Sequence, residues 1–230
     1  MIDILKKTPV IVYLIALAGF AVQMWAGLNY GMFRDEFYYI ECARHLDWGY
    51  VDHPPFSILK LWAWISMFGD SQESIRIIPS ILFSLIIIFS SFISHAMKGS
   101  PSAQVITALA VFSCPQYLGL TGFYSMNAFD LFFWALLFLI LLFIINTENR
   151  KLWLLFGLVF GFALMNKFTI GVLAISVSIA VYFTHFRKIS KDFYYNISTL
   201  VAILIFVPFI IWNYANGFPT IEFMRNATLY

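Results

Sequence analysis

The stretch 152–186, LWLLFGLVFGFALMNKFTIGVLAISVSIAVYFTHF, decides how this chain is arranged. It is almost continuously apolar except at its centre, Met165-Asn166-Lys167, and it lies between two basic pairs, Arg150 with Lys151 and Arg187 with Lys188. Crossing about 30 Å of hydrocarbon takes roughly 20 residues of helix. The stretch is too long for one crossing and barely enough for two, and Lys and Arg collect on the cytoplasmic face of a membrane. A hairpin with Asn166 and Lys167 at its tip and both ends on the basic side meets both constraints.

Working outward from the hairpin, further apolar runs cover 9–29, 75–97, 102–120, 128–145 and about 197–214. With the two hairpin legs these predict an all-α membrane protein of about seven transmembrane helices. Of the 230 residues, 61% are apolar, 20% aromatic and 11% charged, and the mean hydropathy is +0.83. These figures exclude a disordered or nucleic-acid-binding chain and fit a bilayer rather than water as the solvent. The first run, preceded by Lys6 and Lys7, is long for a signal-peptide core and lacks a small-residue cleavage site, so it reads as a helix. Cys42 and Cys114 are too few for a disulfide framework and read as free thiols.

Alternating the spans puts Lys6, Lys7, Lys98, Arg150, Lys151, Arg187, Lys188 and Lys191 on the cytoplasmic side and the long segment 30–74 outside. Each turn opposite the basic side is polar. These are the first outer loop, Ser125-Met126-Asn127 leading to Asp130, the hairpin tip, and the turn 213–216. They are expected to converge on one cavity. An ionisable group at or just below the interface, as Lys167 would be, usually marks function.

Seven acids lie in that outer loop: Asp35, Glu36, Glu41, Asp47, Asp52, Asp70 and Glu73. Phe37, Ile40, Ala43 and Leu46 recur there at near-helical spacing, which predicts a short interfacial helix with an acidic start. Asp35 either caps that helix or acts chemically, and Glu36 either favours its positive end or shares the chemistry. Farther on, Tyr50-Val51-Asp52-His53-Pro54-Pro55 holds an acid and a histidine extended before two prolines. It is either a polar turn or a stiffened site. A second interfacial helix is expected over 56–68, where Trp62 and Trp64 suit the aromatic belt.

The run Phe33-Arg34-Asp35-Glu36-Phe37-Tyr38-Tyr39, with Ala43-Arg44-His45-Leu46 and Trp48-Gly49-Tyr50-Val51-Asp52-His53-Pro54-Pro55 after it, resembles bacterial membrane glycosyltransferases of the protein-mannosyltransferase type. This is the GT-C class, which includes the lipid A aminoarabinose transferases. The resemblance continues through Ser74-Ile75-Arg76, Ser125 to Asp130, Met165-Asn166-Lys167-Phe168, Trp212-Asn213 and Gly217 to Phe223. It implies sugar transfer from a polyprenyl-phosphate donor to a lipid, glycan or protein acceptor at the outer face of a bacterial inner membrane. It also implies that the outer-loop acid matching Asp35 is the base. Relatives are longer, so the chain, a single module over 1–230 with its catalytic loop at 30–74, is expected to match their N-terminal part, with the C-terminal part absent.

A hydroxyl becomes a competent nucleophile when a carboxylate accepts its proton, and direct displacement at the anomeric carbon inverts it. A lipid phosphate leaves as an anion, so the site must also supply positive charge. Asp35 and Glu36 are the candidate catalytic acids, and His53, Lys167 and Arg34 the candidates for binding the donor phosphate. Asn127, Asp130 and Asn166 are candidate supporting residues; Asp130 could equally pair with Arg76 or cap its helix. Relatives hold a metal near the acid matching Asp52, which makes Asp52 the candidate ligand for a divalent cation (Mg, Mn or Zn), although an acid and one histidine are an incomplete set. The rival reading is a multi-pass transporter or lipid-handling protein. It predicts polar residues midway along the helices, whereas here they gather at one end.

Overall fold

The computed structural model describes residues 7–183, 189 and 191–227, and every regular element among them is helical. Lys6, Arg187 and Lys188, read above as basic residues of the cytoplasmic side, lie outside the described residues. Helix α1 (Val10–Asn29) is followed by α2 (Arg34–Arg44) and α3 (Phe56–Phe68), the two helices expected in the first loop. Then come α4 (Gln72–Ala96), α5 (Pro101–Ser113), α6 (Pro115–Leu120) and α7 (Met126–Thr147). The hairpin is α8 (Leu152–Leu164), a single 3-10 turn (Phe168–Ile170) and α9 (Gly171–Phe183); α10 (Phe193–Ala215) and α11 (Pro219–Ala227) complete the order.

Among the described residues, α1, α4, α7 and α10 are long and apolar enough to cross a membrane. The other three expected spans are shorter. The run 102–120 divides because Cys114 sits extended, φ −75° and ψ 118°, before Pro115. A residue preceding proline is pushed out of the helical region, so α5 ends there and α6 restarts with Pro115 in its first turn. The hairpin legs are 13 residues each.

Two polar ends frame an apolar middle. The α1 and α4 helices run antiparallel: Gly19 lies against Phe83 and Ile87, and Gly27 against Arg76. Leu137, Phe133, Ile140, Phe160 and Trp153 belong to a core shared by α7 and α8, and Val12, Ile15, Phe83, Ile86 and Ile87 to a second one between α1 and α4. At one end, Asn146 donates to the Ala96 carbonyl at 2.7 Å and Arg150 pairs with Asp192 at 3.2 Å. The described basic residues Lys7, Lys98, Arg150, Lys151 and Lys191 belong to this end. At the other end, α2, α3, the start of α7 and the hairpin tip meet. Of the apolar stripe expected on α2, Ile40 and Ala43 are buried, whereas Phe37 is exposed and Leu46, past the helix end, is exposed too; the inward stripe is Glu36, Tyr39, Ile40 and Ala43.

Candidate active site

Three of the turns, the first loop, Ser125 to Asp130 and the hairpin tip, meet at one end of the bundle through side chains reaching across it. Glu36, in the first turn of α2, is 1% exposed and Arg76, in the first turns of α4, is 3% exposed. Arg76 Nε and Nη2 donate to Glu36 Oε1 and Oε2 at 3.2 and 2.8 Å. The same carboxylate accepts the Tyr124 amide at 3.0 Å and the Phe33 amide at 2.7 Å. Arg76 Nη1 further donates to the Gly27 and Tyr30 carbonyls, and Nη2 to that of Gly31. Gly27 is needed here, because a Cβ at that position would lie 2.9 Å from Arg76 Cδ. Glu36, expected beside Asp35 in the chemistry, is thus the buried partner of Arg76. Arg76 pairs with it and not with Asp130.

Asp35 is turned away from this clamp. Its side chain is 41% exposed and carries an ion pair with the exposed Arg34 at 3.3 Å. The N-terminal cap that Asp35 was a candidate for comes instead from Glu36, which accepts the Phe33 amide. Burial raises the Tyr39 phenol above the ordinary range, the Met126 amide bond opposes this, and the nearby Asp52 and Asp35 carboxylates add to the rise.

Asp52 accepts the Tyr38 hydroxyl at 2.6 Å. The Tyr38 phenol is held in its protonated form by burial first and by this bond second. His53 is fully buried, stacked on Tyr39 with ring centroids 5.1 Å apart. Its Nδ1 lies 2.9 Å from the Pro54 carbonyl, which fixes a proton there, and its Nε2 lies 3.8 Å from Asp52 Oδ1. With no exposed surface, His53 does not fit direct contact with a donor phosphate; it backs Asp52. The loop is seated by Gly49, against the Trp212 indole of α10, and by Thr220, whose hydroxyl donates to the Tyr50 carbonyl at 3.4 Å.

On the facing side, the hairpin tip docks on α7. Lys167 Nζ donates to Asn127 Oδ1 at 2.7 Å and lies 3.7 Å from Asp130 Oδ2, and Thr169 donates to both Asp130 oxygens at 3.0 Å. Asn166 is fully buried and donates to the Met126 carbonyl at 2.9 Å. The Lys167 side chain keeps 26% of its surface exposed, so the ammonium remains reachable while its place is fixed. Behind this corner lies an apolar cavity of about 390 Å³, lined by residues that include Trp48, Phe56, Leu59, Phe162 and Ile205, with Asp47 as its acid.

No group of three His, Cys, Asp or Glu residues that could hold a metal ion occurs among the described residues. Asp52 has Tyr38 and His53 as its neighbours, which does not make a metal-ligand set. Cys42 and Cys114 are free, and burial pushes the Cys42 thiol up.

A profile of the dolichyl-phosphate-mannose-protein mannosyltransferase family matches residues 52–212, well over half of the chain. The chain belongs to this family. A member of the mannosyltransferase family is a GT-C-type membrane glycosyltransferase that draws its sugar from a polyprenyl-phosphate donor. The matched segment includes Asp52, His53, Arg76, Asn127, Asp130, Asn166 and Lys167; Arg34, Asp35 and Glu36 precede it. No curated protein and no solved structure matches the chain.

Tyr38, Tyr39, Tyr124 and Thr169 are site residues that sequence reasoning gave no role, and Arg76 was offered only as a possible partner of Asp130. One signal was available for Arg76, an arginine at the mouth of a long apolar run, where an unpaired charge would be costly. Nothing local names its partner.

Proposed function

We propose that this mannosyltransferase-family chain carries an inverting sugar transfer from a polyprenyl-phosphate-linked donor to a lipid, glycan or protein acceptor at the outer face of a bacterial inner membrane. Asp35 is the base. Its carboxylate accepts the proton of the acceptor hydroxyl as that oxygen bonds to the anomeric carbon. The bond from that carbon to the phosphate oxygen breaks on the opposite side, and its electron pair leaves with the polyprenyl phosphate. Only one base is required, because the leaving group departs as an anion.

Lys167 supplies the fixed positive charge toward that phosphate, oriented by Asn127 and Asp130, with Arg34 as an exposed second cation. The apolar cavity beside the hairpin tip offers room for part of an isoprenoid chain. Asp52, which accepts the Tyr38 hydroxyl, adds a further carboxylate on the α2 side. The observation that carries the reading is that a half-exposed carboxylate on α2 and a partly exposed, pre-oriented ammonium on the hairpin tip share one end of the bundle. The gathering of polar groups at that end speaks against the transporter reading.

The test is transfer of labelled sugar from a polyprenyl-phosphate donor by membranes holding the chain, wild type against Asp35→Asn. The carboxamide cannot accept the proton, and loss of a general base typically costs 10²–10⁴-fold. Undiminished transfer by a normally inserted variant would remove Asp35 from the base role.

A further inference from the structure

We propose that Glu36 and Arg76 are a positioning pair that holds the Asp35 carboxylate at a fixed separation from the Lys167–Asn127 side of the site. The inference rests on the reading of Asp35 as base and deepens it.

The pair is saturated. A guanidinium has five N–H groups and a carboxylate about four acceptor positions. All five Arg76 donors are engaged, two on Glu36 and three on the Gly27, Tyr30 and Gly31 carbonyls. All four Glu36 positions are engaged as well, two by Arg76 and one each by the Phe33 and Tyr124 amides. Four chain segments are thereby joined at one point: the end of α1, the start of α2, the first turns of α4 and the residues leading into α7. A buried polar network of this kind specifies one geometry when complete and costs heavily when a member is lost.

The segments it joins carry the chemistry. Asp35 precedes Glu36 by one residue, about 100° around the same helix turn, so an inward, clamped Glu36 directs Asp35 sideways toward the open face. Asp35 itself has little to hold it, since its ion pair is with an arginine whose side chain is 90% exposed. On the other side, the Tyr124 amide bound by Glu36 lies shortly before Ser125, which caps α7 through the Asn127 amide at 3.2 Å. Asn127 in turn receives Lys167. One carboxylate therefore fixes the start of both arms. Neither member touches a reacting atom, and each acts through its neighbours.

Two readouts test this in the full chain. Spin labels at Asp35→Cys and Asn127→Cys, with Cys42 and Cys114 replaced by serine, are expected to give one narrow distance distribution with Glu36 and Arg76 intact. The distribution should broaden or shift with Glu36→Gln, which sets an amide against arginine donors, and with Arg76→Lys, which keeps the charge but offers three donors in place of five. An unchanged narrow distribution in both variants overturns the proposal. In the sugar-transfer assay, the same substitutions without labels should lower kcat about 10²-fold, the penalty for roughly 1 Å of misplacement, with the donor KM within about twofold of wild type. Wild-type kcat in Glu36→Gln, or a loss matched by the loss of folded protein on size exclusion, also overturns it. A wild-type chain that transfers no sugar refutes the glycosyl-transfer reading instead, and the label distances still decide the pair.

Discussion

Replacing Gly157 with alanine should loosen the hairpin that carries Lys167. The α8 and α10 helices cross at their backbones: Gly157 and Gly161, one turn apart on α8, face Ser198 and Ala202 on α10. Small residues at this spacing allow membrane helices to approach closely. A Cβ on Gly157 would lie 2.6 Å from Ser198 Cα and 2.7 Å from its carbonyl carbon, and closer still to the carbonyl oxygen. Ordinary carbon contacts sit near 3.5–4.0 Å, so the helices must part by about 1 Å, which forfeits a quarter to a half of each dispersion contact along the crossing. Overpacking of this kind costs about 2 kcal/mol, which for a chain of this size lowers Tm by about 4–8 °C.

The glycines of the hairpin provide their own scale. At Gly161 the Cβ would meet Ile205 Cδ1 at 2.8 Å, Ile205 Cβ at 3.0 Å and Ala202 Cα at 3.1 Å, all longer than the contacts at Gly157, so the loss should be smaller. At Gly171 nothing lies within 4 Å and φ is −58°, so alanine there should be neutral or stabilising. Thermal unfolding of detergent-purified protein followed by tryptophan fluorescence, with Trp153 3% exposed at the start of α8, reads the series directly. A Gly157→Ala midpoint indistinguishable from that of Gly171→Ala would refute the close-crossing argument.

Lys167→Met should lower kcat/KM for the donor by roughly 10- to 100-fold, since a charge-assisted hydrogen bond is worth about 1.5–3 kcal/mol; unchanged kinetics would free Lys167 from the phosphate role. Tyr50 is pushed up to about 12 by burial, so its phenol favours the fold in protonated form. Its contribution is complete below the ordinary phenol value near 10 and is lost as pH rises through 12. The alkaline absorbance difference between wild type and Tyr50→Phe should show that midpoint, and one near pH 10 would contradict the buried setting. For orientation, a cysteine placed by Lys151→Cys should resist impermeant reagents applied to intact cells, and efficient labelling would reverse the topology.

The sequence made the helices and their ends legible because hydrocarbon thickness and charge placement act over windows of about 20 residues, long enough to read without knowing any contact. The hairpin at Asn166 and Lys167 and the gathering of polar turns at one end followed from that alone. Asp35 and Glu36 were not separable in this way. As consecutive residues on a helix they point in different directions, and which one faces inward is set by Arg76 and by the Tyr124 amide, 88 residues away from Glu36 in the chain. Asp130 and Thr169 likewise find each other only through the docking of the hairpin on α7. The break at Cys114 was local, and Pro115 announced it, but an unbroken apolar composition outweighed it in the reading of one continuous span.

The seating of the first loop on α10 and α11 has a consequence for biogenesis. Thr220 reaches the Tyr50 carbonyl across 170 residues, and Gly49 rests on Trp212. At about 5–20 residues per second, a ribosome needs on the order of 10–30 s to deliver that second surface after the loop has been made. During this interval the clamp around Glu36 and Arg76 can form, while the 49–50 part of the loop lacks the surface it rests on. Seating of the loop is thus coupled to delivery of α10 and α11, and a chain stopped before them carries the clamp around Arg76 without the surface under Gly49 and Tyr50.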